Sequence, residues 1–211
     1  MSLIPVKGMD GFYRDSNSQA IINKNNQDYQ AYVANRAKLL SDKERIDKLE
    51  RGQELVNSLK SRINNIRGKQ FDVKPKVLGI EWIKPFFTSG HWVPDMIDYA
   101  GGENMITKSG EHSRKMDIEE IEDADPDFLI LMPCGFDVQR TISEYEKYLK
   151  KDSRWNELRA VKENNVFAVD ANSFFSKPSI RVITGIEILS KILHPEKFAG
   201  LEVPSNSFLK I

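Results

Sequence analysis

The sequence has 211 residues, with 31 Lys or Arg against 31 Asp or Glu, so its formal net charge is zero. A chain without net charge has no long-range field that attracts a polyanion, which argues against a general nucleic-acid-binding protein. The single cysteine, Cys134, excludes an internal disulfide framework and a cysteine-rich metal centre. No apolar run reaches the roughly 20 residues that a membrane-spanning helix needs, and the first residues lack the apolar core of a signal peptide.

The first 70 residues are predicted to be an arm followed by helices. Residues 1–27 are rich in Asn, Ser, Gln and Asp with few periodic apolar residues, which predicts a poorly ordered N-terminal arm. Residues 28–70 have helical spacing, and Ser41-Asp42-Lys43-Glu44 matches a capping box, so a second, long helix is expected to begin there. Gly68 is expected to end it in the left-handed conformation. A coiled-coil seam is the alternative explanation of the same spacing.

Residues 71–211 are predicted to form an α/β lobe, because short apolar runs alternate with helical stretches and are separated by Gly and Pro. The nearly continuous apolar runs favour parallel strands that are covered on both faces. Strands are expected at residues 77–82, 127–132 and 166–170, with a short one at 105–106. Helices are expected at residues 93–100, 118–124, 138–150 and 178–193. The predicted fold is a Rossmann-like parallel sheet flanked by helices and preceded by a long helix.

The loops that follow the predicted strands contain the most unusual residues. Ligands of open parallel sheets bind outside the carboxyl ends of the strands, so the loops 82–94, 133–136 and 170–176 are expected to meet at one rim. Their aromatic residues are Trp82, Phe86, Phe87, Trp92, Phe136, Phe174 and Phe175. Together these rings would suit a large, flat and partly apolar ligand. The alternative is that many of them face inward and close the edge of the sheet.

No catalytic or metal site is predicted. Cys134 follows a strand, as a nucleophile can, but no histidine and carboxylate pair accompanies it. His91 could be a ligand, a hydrogen-bond donor or a residue of a helix entry, and His112 and His194 show no metal-binding spacing relative to it. An enzyme is the weakest hypothesis, because only Cys134 and His91 support it. The acidic residues of the 111–125 stretch form either a solvated face or a surface for a basic partner.

Three segments carry a resemblance to a known family: PFFTSGHWVPDMIDYAGGENMI, IEEIEDADPDFLILMPCGF and VFAVDANSFFSKPSIRVITGIEIL. In order and spacing they resemble the C-terminal lobe of the helical-backbone, or class III, substrate-binding proteins of ABC importers, and are most similar to the cobalamin-binding type. The resemblance covers about residues 28–195. In that family one long helix joins two Rossmann-like lobes, and a corrinoid, siderophore or haem binds between them without covalent chemistry. The resemblance therefore implies a non-catalytic receptor.

The resemblance also implies site residues and partners. Two surface glutamates, Glu119 and Glu120, match the region that docks on the importer's membrane subunits. The residues that match the ligand cleft are Trp82, Phe86, Phe87, Gly90, His91, Trp92, Cys134, Gly135, Phe136, Asn172, Phe174 and Phe175. The implied ligand is cobalamin or a related metal chelate, with no resident cofactor and no metal site.

The family's N-terminal lobe is not found before residue 28, so a separate N-terminal lobe or a second copy of the chain is an expected partner. Two alternatives remain open: a receptor for haem or a siderophore, and an interaction module that dimerises or docks the other lobe. Members of the family work outside the cytoplasm, whereas no signal peptide is seen in this sequence, which leaves the compartment open.

Overall fold

The structure is a computed structural model that describes residues 2–24 and 26–211. The chain divides into two compact units, Met1–Asn57 and Ser58–Ile211. The first unit contains three short strands, β1 (Leu3–Pro5), β2 (Phe12–Asp15) and β3 (Ile21–Asn23), which pair antiparallel in chain order. It also contains most of the helix α1 (Asn26–Arg67).

The small sheet lies where the sequence predicted a poorly ordered arm, of which Met1 and Asn25 lie outside the described residues. Strands of three or four residues are too short to show an alternating apolar pattern, so periodicity could not reveal them. The glycines of the turn between β1 and β2 are the sequence feature that indicates these strands. Gly8 and Gly11 both have φ of 82° between β1 and β2, a backbone conformation that glycine adopts without steric cost.

Helix α1 is one uninterrupted helix of 42 residues, so the expected second start at the capping box is wrong. Residues 38–44 contain neither Pro nor Gly, and both Ser and Glu are tolerated inside a helix, which is why a box-like spacing need not mark a start. The helix does end next to Gly68, whose N–H donates to the Asn64 carbonyl at 2.8 Å. Gly68 does not adopt the expected left-handed conformation, because its φ is not positive.

The second unit is built on a mixed six-stranded sheet. Its strands are β4 (Lys76–Ile83), β5 (Phe86–Thr88), β6 (Glu103–Asn104), β7 (Phe128–Leu131), β8 (Val166–Val169) and β9 (Phe208–Lys210). The order is β5-β4-β7-β8-β9, and β6 pairs with β4. The strands β6, β4, β7 and β8 are parallel, whereas β5 and β9 are antiparallel edge strands. The predicted parallel sheet flanked by helices is confirmed at its centre.

Seven helices accompany this sheet: α2 (Val93–Tyr99), α3 (Ile118–Ala124), α4 (Val138–Tyr148), α5 (Ser153–Glu157), α6 (Arg159–Lys162), α7 (Ala171–Phe174) and α8 (Val182–Leu193). The last begins at Val182 rather than at Pro178, and the short strand expected at 105–106 lies two residues earlier as β6. Alternating residues of β4 enter two hydrophobic clusters. Val77 packs with α2 and α8, whereas Leu78 packs with Ile121 of α3 and with Trp155 of α5.

A buried ion pair joins the end of α1 to α8. The guanidinium of Arg62 donates from Nε to Oε1 of Glu187 at 2.8 Å and from Nη2 to Oε2 at 2.5 Å, and Nη2 also bonds the Thr184 hydroxyl at 2.8 Å. This pairing with Glu187 raises the pKa of Arg62. Only 8% of the Glu187 side chain is exposed, against 36% for Arg62. Arg62 therefore compensates a carboxylate that water scarcely reaches.

Arg62→Met should lower the free energy of unfolding by about 2 kcal/mol, because it leaves the Glu187 carboxylate buried without its charge partner. Solvent access at the Arg62 side keeps the loss below that of a fully buried pair. Urea unfolding followed by circular dichroism measures it. The control is Arg45→Met, since the Arg45–Asp42 pair is 3.6 Å long and 77% exposed at the arginine. Equal losses in the two variants would contradict a stabilising role of the buried pair.

Candidate functional site

A pocket of about 290 Å³ opens at the carboxyl ends of β4 and β7. Glu81 and Trp82 come from β4, Phe87 from β5, and Cys134 from the loop after β7, while Ser113 comes from the loop before α3. Trp82, Phe87 and Cys134 are among the predicted ligand-binding residues. Glu81 and Ser113 were not predicted. The pocket lies where ligands of open α/β sheets bind.

Backbone hydrogen bonds extend the pairing of β4 and β7 beyond the regular strands. The Met132 N–H donates to the Ile80 carbonyl at 2.9 Å, and the Cys134 N–H donates to the Glu81 carbonyl at 3.2 Å. The register between β4 and β5 shifts between Ile80 and Trp82. A shift of this kind re-aims the side chains that follow it. The thiol-bearing loop is thus held beside the Glu81-Trp82 end of β4.

Gly90 brings the loop that contains Ser113 against β5. A Cβ at Gly90 would lie 2.3 Å from the Ser113 backbone nitrogen, so any larger residue would push this loop away. Next to it, the His91 N–H donates to the Glu111 carbonyl at 2.6 Å. The predicted site residue Gly90 therefore acts on the pocket through the backbone, by permitting close approach of two loops.

The exposed aromatic surface at the rim is supported from behind. The Trp82 ring, whose residue is 38% exposed, meets the Phe136 ring edge-on with centroids 5.3 Å apart. Phe136 is only 5% exposed, and the Arg140 guanidinium lies 3.7 Å from its ring centroid. A cation over an aromatic face and an edge-on ring pair both stabilise this arrangement. Trp82 is thus held in place as a flat surface next to the pocket.

The third loop joins the second through two hydrogen bonds. The Asn172 N–H donates to the Phe136 carbonyl at 3.0 Å, and the Gly135 N–H donates to the Ser176 hydroxyl at 3.0 Å. Gly135 has φ of 77°, so the turn after β7 uses glycine where other residues would be strained. The three loops after β4, β7 and β8 therefore meet at one edge of the sheet.

Four of the predicted site aromatics pack into the interior. Phe86 stacks on Trp155 with centroids 5.9 Å apart, on the opposite side of β5 from Phe87. Trp92 donates from Nε1 to the Phe175 carbonyl at 3.0 Å, and both pack with Phe174 in the cluster of α2 and α8. Neighbouring residues of an extended strand face opposite sides, which separates Phe86 from Phe87. This inward packing is the alternative that the sequence left open.

His91 and His112 form a ring contact that their separation in sequence concealed. Their centroids are 5.0 Å apart in an edge-on arrangement, and the His91 backbone has φ of 58°. Within residues 2–24 and 26–211, no group of three or more His, Cys, Asp or Glu side chains is arranged to hold a metal ion. The histidine pair lies next to Trp92, 5.6 Å from His91, rather than among the residues that line the pocket.

Glu81 is the charged residue of the pocket wall. Burial raises the pKa of its carboxyl, while the Ser113 hydroxyl and the charge of His91 act in the opposite direction. Oε2 is buried, and no hydrogen-bond partner for it is found in the described part of the chain. The sequence did hold a signal for this residue, because an acidic side chain interrupts the apolar strand Val77-Leu-Gly-Ile-Glu-Trp82. Ser113 has no such signal.

The two glutamates assigned to docking already have arginine partners. Arg154 bonds both Glu119 and Glu122, and Arg114 donates from Nη2 to Oε2 of Glu120 at 2.6 Å. These contacts lower the pKa of Glu119 and of Glu120. Exposed ion pairs of this kind are weak, so an external arginine could replace the internal one. Their docking role stays a prediction.

Comparison with known proteins identifies the family. Residues 26–173 match the family model described as periplasmic binding protein. The chain belongs to this family. Its members are solute-binding proteins without enzymatic activity. No helix of the described residues is long and apolar enough to cross a membrane.

Individual relatives cover parts of the chain. The high-affinity heme uptake system protein IsdE of Staphylococcus aureus is 28% identical over 122 residues, which are 56% of this chain and 41% of IsdE. The crystal structure of the TroA-like periplasmic binding protein FepB from Veillonella parvula superposes with a TM-score of 0.63 at 16% identity, covering 77% of this chain and 56% of FepB. The vitamin B12 binding protein BtuF of Vibrio cholerae gives a TM-score of 0.50 at 18% identity, covering 71% of this chain and 52% of BtuF. The last two show the shared fold, and the chain spans about half of each relative.

Glu81→Gln should stabilise the protein by at most about 1 kcal/mol near pH 7, because the ionised carboxyl is partly buried and only partly compensated, while solvent screening limits the gain. A carboxyl whose folded-state pKa is raised destabilises the fold above that pKa, and the effect disappears below its unfolded pKa. The stability difference between variant and wild type should therefore shrink near pH 4. Urea unfolding at both pH values measures it, with the exposed Glu196→Gln as the control. An equal difference at both pH values would rule out this cause.

Proposed function

We propose that the chain forms one wall of the ligand cleft of a receptor that delivers cobalamin, or a related corrinoid, to an ABC importer. The observation that carries the proposal is the exposed face of Trp82 beside a pocket at the carboxyl edge of the sheet. A flat macrocycle covers such a ring by face contact, which contributes apolar burial without covalent chemistry. The membership in the periplasmic binding protein family supports a binding role.

The size of the pocket supports a shared cleft. A volume of about 290 Å³ lies at the small end of ligand sites, and a drug-sized ligand is usually buried to 70–90% or so. One wall of this kind covers only part of a corrin ring. The proposal therefore needs a second wall, from another lobe or a second copy of the chain, for tight binding.

Two other chelate classes are alternative ligands. Haem is supported by the relative IsdE, a heme uptake protein that is 28% identical over the matched residues. A ferric siderophore would use the same edge of the sheet. The importer's membrane subunits remain the proposed macromolecular partners, with Glu119 and Glu120 as the docking residues that would exchange Arg154 and Arg114 for arginines of the transporter.

Titration with cobinamide, haemin and a ferric siderophore, followed by the absorbance of each chelate, tests the proposal. We expect a saturable change with cobinamide at or below about 1 mM, where binding is worth about 4 kcal/mol. Trp82→Ala should weaken it about tenfold, or about 1.4 kcal/mol, because the face contact is lost. Tyr99→Ala is a matched control, since Tyr99 is 37% exposed but contacts Arg67 away from the pocket. No saturable change with any of the three chelates would refute the proposal.

A second candidate function is self-association through α1. Four apolar residues on this helix, Leu39, Ile46, Leu49 and Val56, are 43–73% exposed. Their spacings of seven, three and seven residues place them along one face of a helix. Surface of this kind commonly marks a protein interface. A second copy of the chain offers the same apolar face, and the neighbouring charges have both signs.

Sedimentation equilibrium of wild type and of Ile46→Lys/Leu49→Lys tests this association. We expect a concentration-dependent dimer in the wild type and a monomer in the double variant, because two buried lysines would separate the helices. Lys43→Ala/Lys48→Ala is the control that changes charge without adding any charge to the apolar face. A wild type that stays monomeric at all concentrations would exclude the candidate.

A further inference from the structure

The Glu81 carboxylate has a buried oxygen, Oε2, without a hydrogen-bond partner in the described residues. Several other carboxylates of the second unit are paired with arginine: Glu187 with Arg62, Glu120 with Arg114, Glu119 and Glu122 with Arg154, and Asp125 and Asp127 with Arg159. Glu81 forms no ion pair with a lysine or arginine of residues 2–24 or 26–211. Its charge is therefore only weakly balanced within the described chain.

The surroundings of Glu81 make this charge effective. It shares the pocket wall with two aromatic residues, Trp82 and Phe87, and with Ser113 and Cys134. Arg140, one of the cations near this rim, lies over the Phe136 ring rather than at the carboxylate. Charges act more strongly beside apolar groups than in water, because the local dielectric constant is lower. The five residues that line the pocket include one acidic side chain, Glu81, and no basic one.

An incompletely partnered carboxylate can be stabilised by a ligand that supplies hydrogen-bond donors. Oε2 is buried without a partner in the described residues, and the terminal torsion of a glutamate side chain is soft, so the carboxyl can rotate toward a donor in the pocket. A ligand carboxylate at the same place would instead meet a like charge and lose its own hydration.

We infer that Glu81 determines ligand selectivity in this pocket, favouring ligand edges with neutral or cationic N–H donors over edges with carboxylates. For the identity of the large ligand, the inference rests on the proposed function. The preference for one ligand charge over another rests on the pocket alone. A corrinoid carries carboxamide groups around its ring, whereas haem carries two propionates. Glu81 thus favours a corrinoid over haem among planar chelates that could contact Trp82.

A pair of small probes tests the charge preference without any chelate. Benzamidine and benzoate have similar size and shape, but one presents an amidinium with N–H donors and the other a carboxylate. Titration of ¹⁵N-labelled protein, followed by amide chemical shifts, should show saturable shifts at Trp82 and Cys134 with benzamidine by about 10 mM, where binding is worth about 2.7 kcal/mol. Benzoate should bind at least about tenfold more weakly.

Glu81→Gln should abolish the preference, bringing the two dissociation constants to within about threefold of each other, because the neutral amide both donates and accepts. Glu196→Gln, the same chemical change at an exposed residue, should retain the wild-type ratio. Chemical shifts outside the pocket verify that each variant is folded. Absence of saturable benzamidine shifts in the wild type, equal binding of benzoate, or a preference that persists in Glu81→Gln would each overturn the inference.

Titration of the wild type and of Glu81→Gln with cobinamide and haemin distinguishes a failure of this inference from a failure of the proposed function. If cobinamide and haemin both bind and Glu81→Gln leaves the ratio of their dissociation constants unchanged, the inference fails and the receptor proposal stands. If the benzamidine preference depends on Glu81 but no chelate binds, the charge selectivity stands and the receptor proposal fails. The expected result is that Glu81→Gln shifts the ratio about tenfold toward haemin, by removing the repulsion of its propionates.

Discussion

The parallel pairing of β4, β7 and β8 is the constraint on which the candidate site depends. Val77 lies opposite Phe128, and Leu129 lies opposite Val166, so the three strands run side by side in the same direction. Their carboxyl ends therefore reach one edge of the sheet, and the loops that follow them must meet there. The hydrogen bond from Cys134 to the Glu81 carbonyl continues this pairing into the loops. Without the common direction, Trp82 and Cys134 would lie at opposite ends of the unit.

The site combines two features that place different demands on a ligand. The Trp82 ring, supported by Phe136 and Arg140, provides an exposed and largely apolar surface. Glu81 adds a charge within the same wall, and charge distinguishes ligands of similar shape. Shape would thus admit several planar chelates, and the carboxylate would select among them. Glu187, by contrast, is a buried carboxylate that this fold compensates with an arginine, Arg62.

Much of the sheet could be predicted because buried parallel strands are nearly continuous apolar runs. The runs at 77–82, 127–132 and 166–170 coincide with β4, β7 and β8. The three strands within residues 3–23 could not be predicted, because they are too short to show an alternating apolar pattern. The false helix start at Asp42 arose because a capping-box spacing is also compatible with the interior of a helix. The positions of the aromatic residues in the sequence showed that many of them lie in the loops after the strands, but not which of them face the pocket.

The sequence by itself determined the family, the succession of strands and helices along the chain, and the concentration of aromatic residues after the strands. These features depend on local pattern and spacing. Only the tertiary structure decided that Phe87 lines the pocket while Phe86 stacks on Trp155, and that Ser113 and His112 approach the loop after β5. It also decided that Glu119 and Glu120 have arginine partners while Glu81 has none among the described residues. Side-chain direction and charge pairing depend on contacts between segments distant in the chain, and such contacts leave no periodic signal in a single sequence.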